Sequence, residues 1–87
     1  MRLDPNLLTH ETRGEHYIIS TGETEFKGIV KNNETAAFIV ECLKTDTDEN
    51  AIVDKLLAEY TGVDRQTVQR DVAAVIGKLR SIGAIIE

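Results

Sequence analysis

The sequence predicts an α+β domain, a three-stranded antiparallel β-meander followed by a three-helix bundle. Three observations predict it. Residues 7–12 and 15–20 carry strand-forming side chains on either side of Arg13-Gly14, a two-residue connection suited to a hairpin. Gly28-Ile29-Val30-Lys31 then runs directly into Asn32-Asn33-Glu34-Thr35-Ala36-Ala37, a β-branched strand turning into a helix. Finally, apolar residues recur at helical spacing in two later segments. These are Ile52, Val53, Leu56, Leu57 and Tyr60, then Val68, Val72, Val75, Ile76, Leu79 and Ile82.

Each element follows from local chemistry. Residues 1–6 read as a lead-in arm, because Asp4-Pro5-Asn6 discourages regular structure. In the hairpin, Leu8 and His10 sit opposite Ile19 and Tyr17 and are expected to form one apolar face. Thr9, Glu11, His16 and Ser20 lie on the other. A turn around Thr21-Gly22-Glu23 leads to a third strand at about residues 25–31. The first helix is expected over residues 33–44, with Asn32 or Asn33 as its N-cap. Glu34 falls in its first turn, where the helix macrodipole favours negative charge. Phe38-Ile39-Val40 and Cys42-Leu43 make this helix apolar almost all round, so it should be enclosed. The polar turn at residues 45–50 supplies a cap and acidic residues for the second helix. Gly62 suits the C′ position at its end, Asp64 can cap the third helix and Gly83 stops it. Ala84-Ile85-Ile86 is a short apolar tail that packs or pairs as a strand.

Composition narrows the function. Eighty-seven residues make one domain, with 41% hydrophobic and 29% charged residues. A net charge of −5 argues against a generic phosphate-backbone binder. Residues 64–87 carry +1 and the remainder −6, so the last helix is the only mildly basic surface. The single cysteine, Cys42, lies among apolar residues and reads as a core thiol. The N-terminus lacks an apolar signal region, and no run approaches the ~18 residues of a membrane span. A cytoplasmic protein is the simplest reading. His10 and His16 are too few for a metal site, and no nucleophile–base pattern or phosphate loop is present. The expectation is a binding module with no cofactor, not an enzyme.

Two binding classes are open on the residues alone. Helices two and three, joined through Thr61-Gly62-Val63-Asp64, look like a helix-turn-helix. Arg65, Gln66, Gln69 and Arg70 would then open a recognition helix. Against this stand the acidic balance and the placement of the strands before the helices. A subunit-docking module is the other alternative.

Asn33-Glu34-Thr35-Ala36-Ala37 followed by Phe38-Ile39 resembles the helix start of the pyrroloquinoline quinone biosynthesis protein D (PqqD) family, also called the RiPP recognition element. Ile52-Val53 and Leu56 to Tyr60 match its second helix; Val68, Asp71-Val72, Leu79 and Gly83-Ala84-Ile85 match its third. The resemblance spans roughly residues 7–86 and makes residues 1–87 a single PqqD-like domain. The chain departs from the family in having Lys31 before the asparagines and no glycine after helix one. The resemblance implies a winged-helix-like fold that binds the leader of a ribosomally made precursor peptide. The leader would add as a strand to the third strand and lie against the third helix. The partner would be a peptide-modifying enzyme, often a radical S-adenosylmethionine (radical SAM) enzyme, with neither nucleic acid nor membrane involved.

That geometry selects Lys27, Gly28, Ile29, Val30 and Lys31 on the strand. On the third helix it selects Asp71, Ala74, Val75 and Lys78, one flank of the core stripe. Four or so backbone hydrogen bonds at roughly 0.5–1.5 kcal/mol each fall short of the ~8 kcal/mol of micromolar binding. Apolar leader side chains must therefore be buried as well. If the Val30 N–H donates to the peptide, Val30→Pro abolishes binding. Lys78→Glu is expected to weaken it.

Overall fold

In the computed structural model, which describes residues 1–22 and 28–87, the expected order of strands and helices is present, with an added two-stranded ribbon. The elements are β1 (Arg2–Leu3), β2 (Leu7–Thr12), β3 (Glu15–Ser20), β4 (Ile29–Asn32), α1 (Glu34–Cys42), α2 (Glu49–Glu59), α3 (Arg65–Ser81) and β5 (Ile85–Ile86). The meander has strand order β2-β3-β4, antiparallel throughout.

The hairpin register is the expected one, with Leu8 opposite Ile19 and His10 opposite Tyr17. Arg13 and Gly14 take φ of 52° and 77°, the two left-handed residues that match the twist of a tight hairpin. The expected apolar face is present, but it is not the one the helices cover. Leu7 and Ile18 are buried and Val30 packs on the core, whereas Leu8 is 58% exposed. Thus Leu8, His10, Tyr17 and Ile19 face outward. Alternation along a strand separates two faces but does not decide which one the helices cover. Here Ile18, fully enclosed with Ile39 and Val40 of α1, decides it.

The lead-in arm is also corrected. Arg2 and Leu3 pair antiparallel with Ile86 and Ile85, so the tail pairs as a strand with the first residues. Leu3 N–H donates to the Leu43 carbonyl at 2.8 Å, and Asp4 N–H donates to that of Ala84 at 2.9 Å. Leu3 is buried, which repays the ordering of this short segment. Asp4-Pro5-Asn6 interrupts regular structure only locally, between β1 and β2.

The helix caps follow the sequence closely. Asn33, Asp48 and Asp64 each accept from the backbone N–H three residues on, at 2.8, 2.8 and 3.0 Å. Helix α1 is shorter than the expected residues 33–44, ending at Cys42 with Leu43 as its cap. Gly62 is left-handed, but it lies two residues beyond the α2 cap at Tyr60 rather than directly after it. The stop of α3 is complete: Gly83 has φ 74°, its N–H donates to the Arg80 carbonyl, and Ala84 N–H donates to that of Leu79. Gly83→Ala should therefore cost about 1–2 kcal/mol, measured by denaturant unfolding, because an L side chain disfavours that conformation.

Ile18, Ile39, Leu43, Ile52, Ile76, Val40, Val53 and Val72 are the largest fully enclosed side chains. Cys42 belongs to the same core, and burial pushes its thiol pKa up, as suits an inert residue. No helix among the described residues is long and apolar enough to cross a membrane.

Candidate functional site

The meander ends in β4, which has β3 on one side and no strand on the other among the described residues. Which backbone groups face that open side follows from the hydrogen-bond alternation. Ser20 N–H donates to the Gly28 carbonyl at 3.0 Å, and these residues are opposite one another in the register. In an antiparallel ladder such bonded pairs alternate with non-bonded ones. Ile18–Val30 and His16–Asn32 are therefore bonded pairs, and the peptide groups of Val30 point into the sheet. Ile19–Ile29 and Tyr17–Lys31 are the non-bonded pairs. The N–H and C=O of Ile29 and Lys31 thus face the open edge. The two-residue hairpin gives the same phase independently, because its closing pair, Thr12–Glu15, uses the alternate residues of β3. Val30 is accordingly not the donor to an added strand.

The side chains divide the other way. Val30 is half-buried on the core, while Ile29 is 65% exposed on the outer face. Lys31 is exposed and its Nζ donates to Glu15 Oε1 at 3.2 Å. Tyr17 donates its hydroxyl to the same carboxylate. These contacts, the tyrosine bond first, hold the Glu15 carboxyl below its usual range and push the Tyr17 phenol up. Gly28 opens β4 in the left-handed region with φ 128°. Lys27 lies outside the described residues.

On α3, Val75 is half-buried against the same core as Val30, and Ala74 and Lys78 are exposed. Asp71 borders a cleft of about 410 Å³ between the start of α1 and the facing ends of α2 and α3. Thr35, Tyr60, Val63 and Val68 also line it, and the sequence reading missed all four. Val63 carried a signal, being an apolar residue in a polar turn; it is 45% exposed. Lys78 lies about 10 Å along the helix from Asp71, at ~1.5 Å per residue, and does not border this cleft.

A larger cleft, about 910 Å³, lies between the inward side of the hairpin and the outer side of α1. It contains none of the residues selected from the sequence. Its walls carry Glu11, Glu34, Glu41 and Glu59, around the edge-to-face pair of Phe38 and Tyr60 at 5.9 Å. Such a surface repels phosphates. The helix-turn-helix reading loses further support at Arg65, whose guanidinium is engaged by Asp54 at 2.8 Å. Among the described residues no group of His, Cys, Asp and Glu could hold a metal.

Comparison with known proteins bears on this geometry. The family model of Coenzyme PQQ synthesis protein D (PqqD) matches residues 7–85. Among solved structures, TbiB1 in complex with the TbiA(beta) leader peptide is 22% identical, with a TM-score of 0.76. The match covers 93% of this chain and 90% of that one. A lasso peptide synthetase B1 complexed with the leader peptide is 26% identical, with a TM-score of 0.78. That match covers 99% of this chain and 96% of the other. Among curated proteins no match is found.

Proposed function

The chain belongs to the Coenzyme PQQ synthesis protein D (PqqD) family, and from that premise we propose that it is a peptide chaperone without catalytic chemistry of its own. It takes the leader of a ribosomally made precursor as an added strand on β4 and holds it against α3. It then presents the peptide to a modifying enzyme, such as a radical SAM maturase. The observation that carries this reading is the open edge of β4 among the described residues, with the half-buried Val30 on its inner face. The fold is shared with two solved proteins whose structures contain leader peptides.

Among the described residues the edge supplies two donors and two acceptors, from Ile29 and Lys31. At roughly 0.5–1.5 kcal/mol each they contribute about 2–6 kcal/mol, less than the ~8 kcal/mol of micromolar affinity. Inward-pointing leader side chains supply the difference by burial against Val30 and Val75, and in the cleft beside Asp71.

Amide-shift mapping tests this, with the isotope-labelled protein titrated by the leader of a precursor encoded beside its gene. Saturable shifts at Ile29, Lys31 and the Asp71–Val75 flank are expected; a titration that leaves β4 unmoved refutes strand addition. Lys78→Glu should weaken the same leader about two- to fivefold, the size of an exposed charge contact, with circular dichroism unchanged. Unaltered affinity by calorimetry would remove Lys78 from the site.

A further inference from the structure

The outer face of the meander carries an apolar row that the hydrophobic core does not use. Leu8, Ile19 and Ile29 are directly opposite one another across β2, β3 and β4. Leu8 and Ile29 are 58% and 65% exposed, two of the four large hydrophobic residues most open to solvent among those described. The next row, His10–Tyr17–Lys31, is polar, and Glu15 ties Tyr17 to Lys31. The apolar row ends at β4, beside the edge groups of Ile29.

We propose that the added strand is read on both faces of the sheet, with Ile29 selecting an apolar residue that becomes the fourth member of the outer row. This rests on strand addition at β4. Among the described residues of β4, Ile29 and Lys31 present backbone groups to the edge, so a ligand strand pairs with those two. A residue directly opposite another in a sheet shares its face. The ligand residue opposite Ile29 therefore points outward and meets the Leu8–Ile19–Ile29 row. Its neighbour, opposite Val30, points inward toward the helices. The next, opposite Lys31, points outward again onto Tyr17, Glu15 and Lys31. The preferred ligand is a peptide with an apolar–apolar–polar triplet, in either strand direction, and not one with simple alternation. An alternating strand would satisfy the inner face but leave Ile29 facing a polar side chain.

The test uses random peptides long enough to span β4, displayed on ribosomes and selected against the whole chain. Enriched peptides should share two adjacent apolar residues flanked by a polar one, and should shift the Ile29 and Lys31 amides. Ile29→Thr keeps the N–H and the β-branch, so the strand is retained. It should weaken a selected peptide about fivefold, the upper size of one cross-strand pair. Changing the peptide's outward apolar residue to threonine should remove the difference between wild type and Ile29→Thr, the signature of a direct pair. Peptides that shift β4 but vary freely opposite Ile29 would overturn the inference while leaving strand addition intact. So would equal affinity for Ile29→Thr. Failure to enrich any peptide that moves β4 overturns strand addition and the inference with it. A dimer that buries Ile29 and is not displaced by peptide overturns the inference too, by assigning the row to a second copy.

Discussion

Lys31→Pro is expected to lower leader affinity at least tenfold while leaving the protein folded. The Lys31 N–H faces the open edge of β4, because the bonded pairs between β3 and β4 are Ser20–Gly28, Ile18–Val30 and His16–Asn32. Proline there removes no ladder bond, and edge strands tolerate it where the N–H points away from the sheet. It does remove one donor to the ligand and strands a peptide carbonyl, at about 1–3 kcal/mol. Lys31→Ala is the control. It keeps the N–H and deletes only the exposed contact with Glu15, a pair of the kind that contributes under about 1 kcal/mol. Val30→Pro should behave differently, lowering stability because it breaks the bond to Ile18 inside the sheet. Calorimetric binding and thermal unfolding on the three variants separate these effects. Wild-type affinity in folded Lys31→Pro would count decisively against pairing at this edge.

The same alternation shows what the sequence made legible and what it did not. Turn chemistry and caps are local, so Arg13-Gly14, Asn33, Asp48, Asp64 and Gly83 all stand where short-range rules place them. Hairpin register is local too, and Leu8–Ile19 follows from the two-residue loop. The covered face of the sheet is not local. Leu8, Tyr17 and Ile19 look like a core face until the core is seen to take Leu7, Ile18 and Val30 instead. Pairing of β1 with β5 spans the whole chain, and Asp4-Pro5-Asn6 concealed it. Within α3, helical spacing alone places Asp71, Ala74 and Val75 on one flank of the core stripe. The cleft residues Thr35, Tyr60 and Val63 come from three separate segments, and no spacing within any one of them joins them.

The choice of covered face has a direct energetic consequence. Ile18→Ala should destabilise the protein by about 2–5 kcal/mol, because Ile18 is fully enclosed and its loss leaves a cavity beneath α1. A chain this size has about 4–13 kcal/mol of stability in all, at ~0.05–0.15 kcal/mol per residue, so much of it would go. Leu8→Ala, of similar size and one strand away, should cost under about 1 kcal/mol, since that side chain is already mostly in water. Urea unfolding of the two variants decides between the faces. Equal losses would mean that the outer row is covered in solution. A larger loss at Leu8 would mean that Leu8, His10, Tyr17 and Ile19 face the helices. In that arrangement Ile29, on the same face, would also turn inward, and Val30 would become the exposed side chain of the edge strand. The contrast between Ile18 and Leu8 thus fixes which side chains of β4 a bound peptide meets on each side.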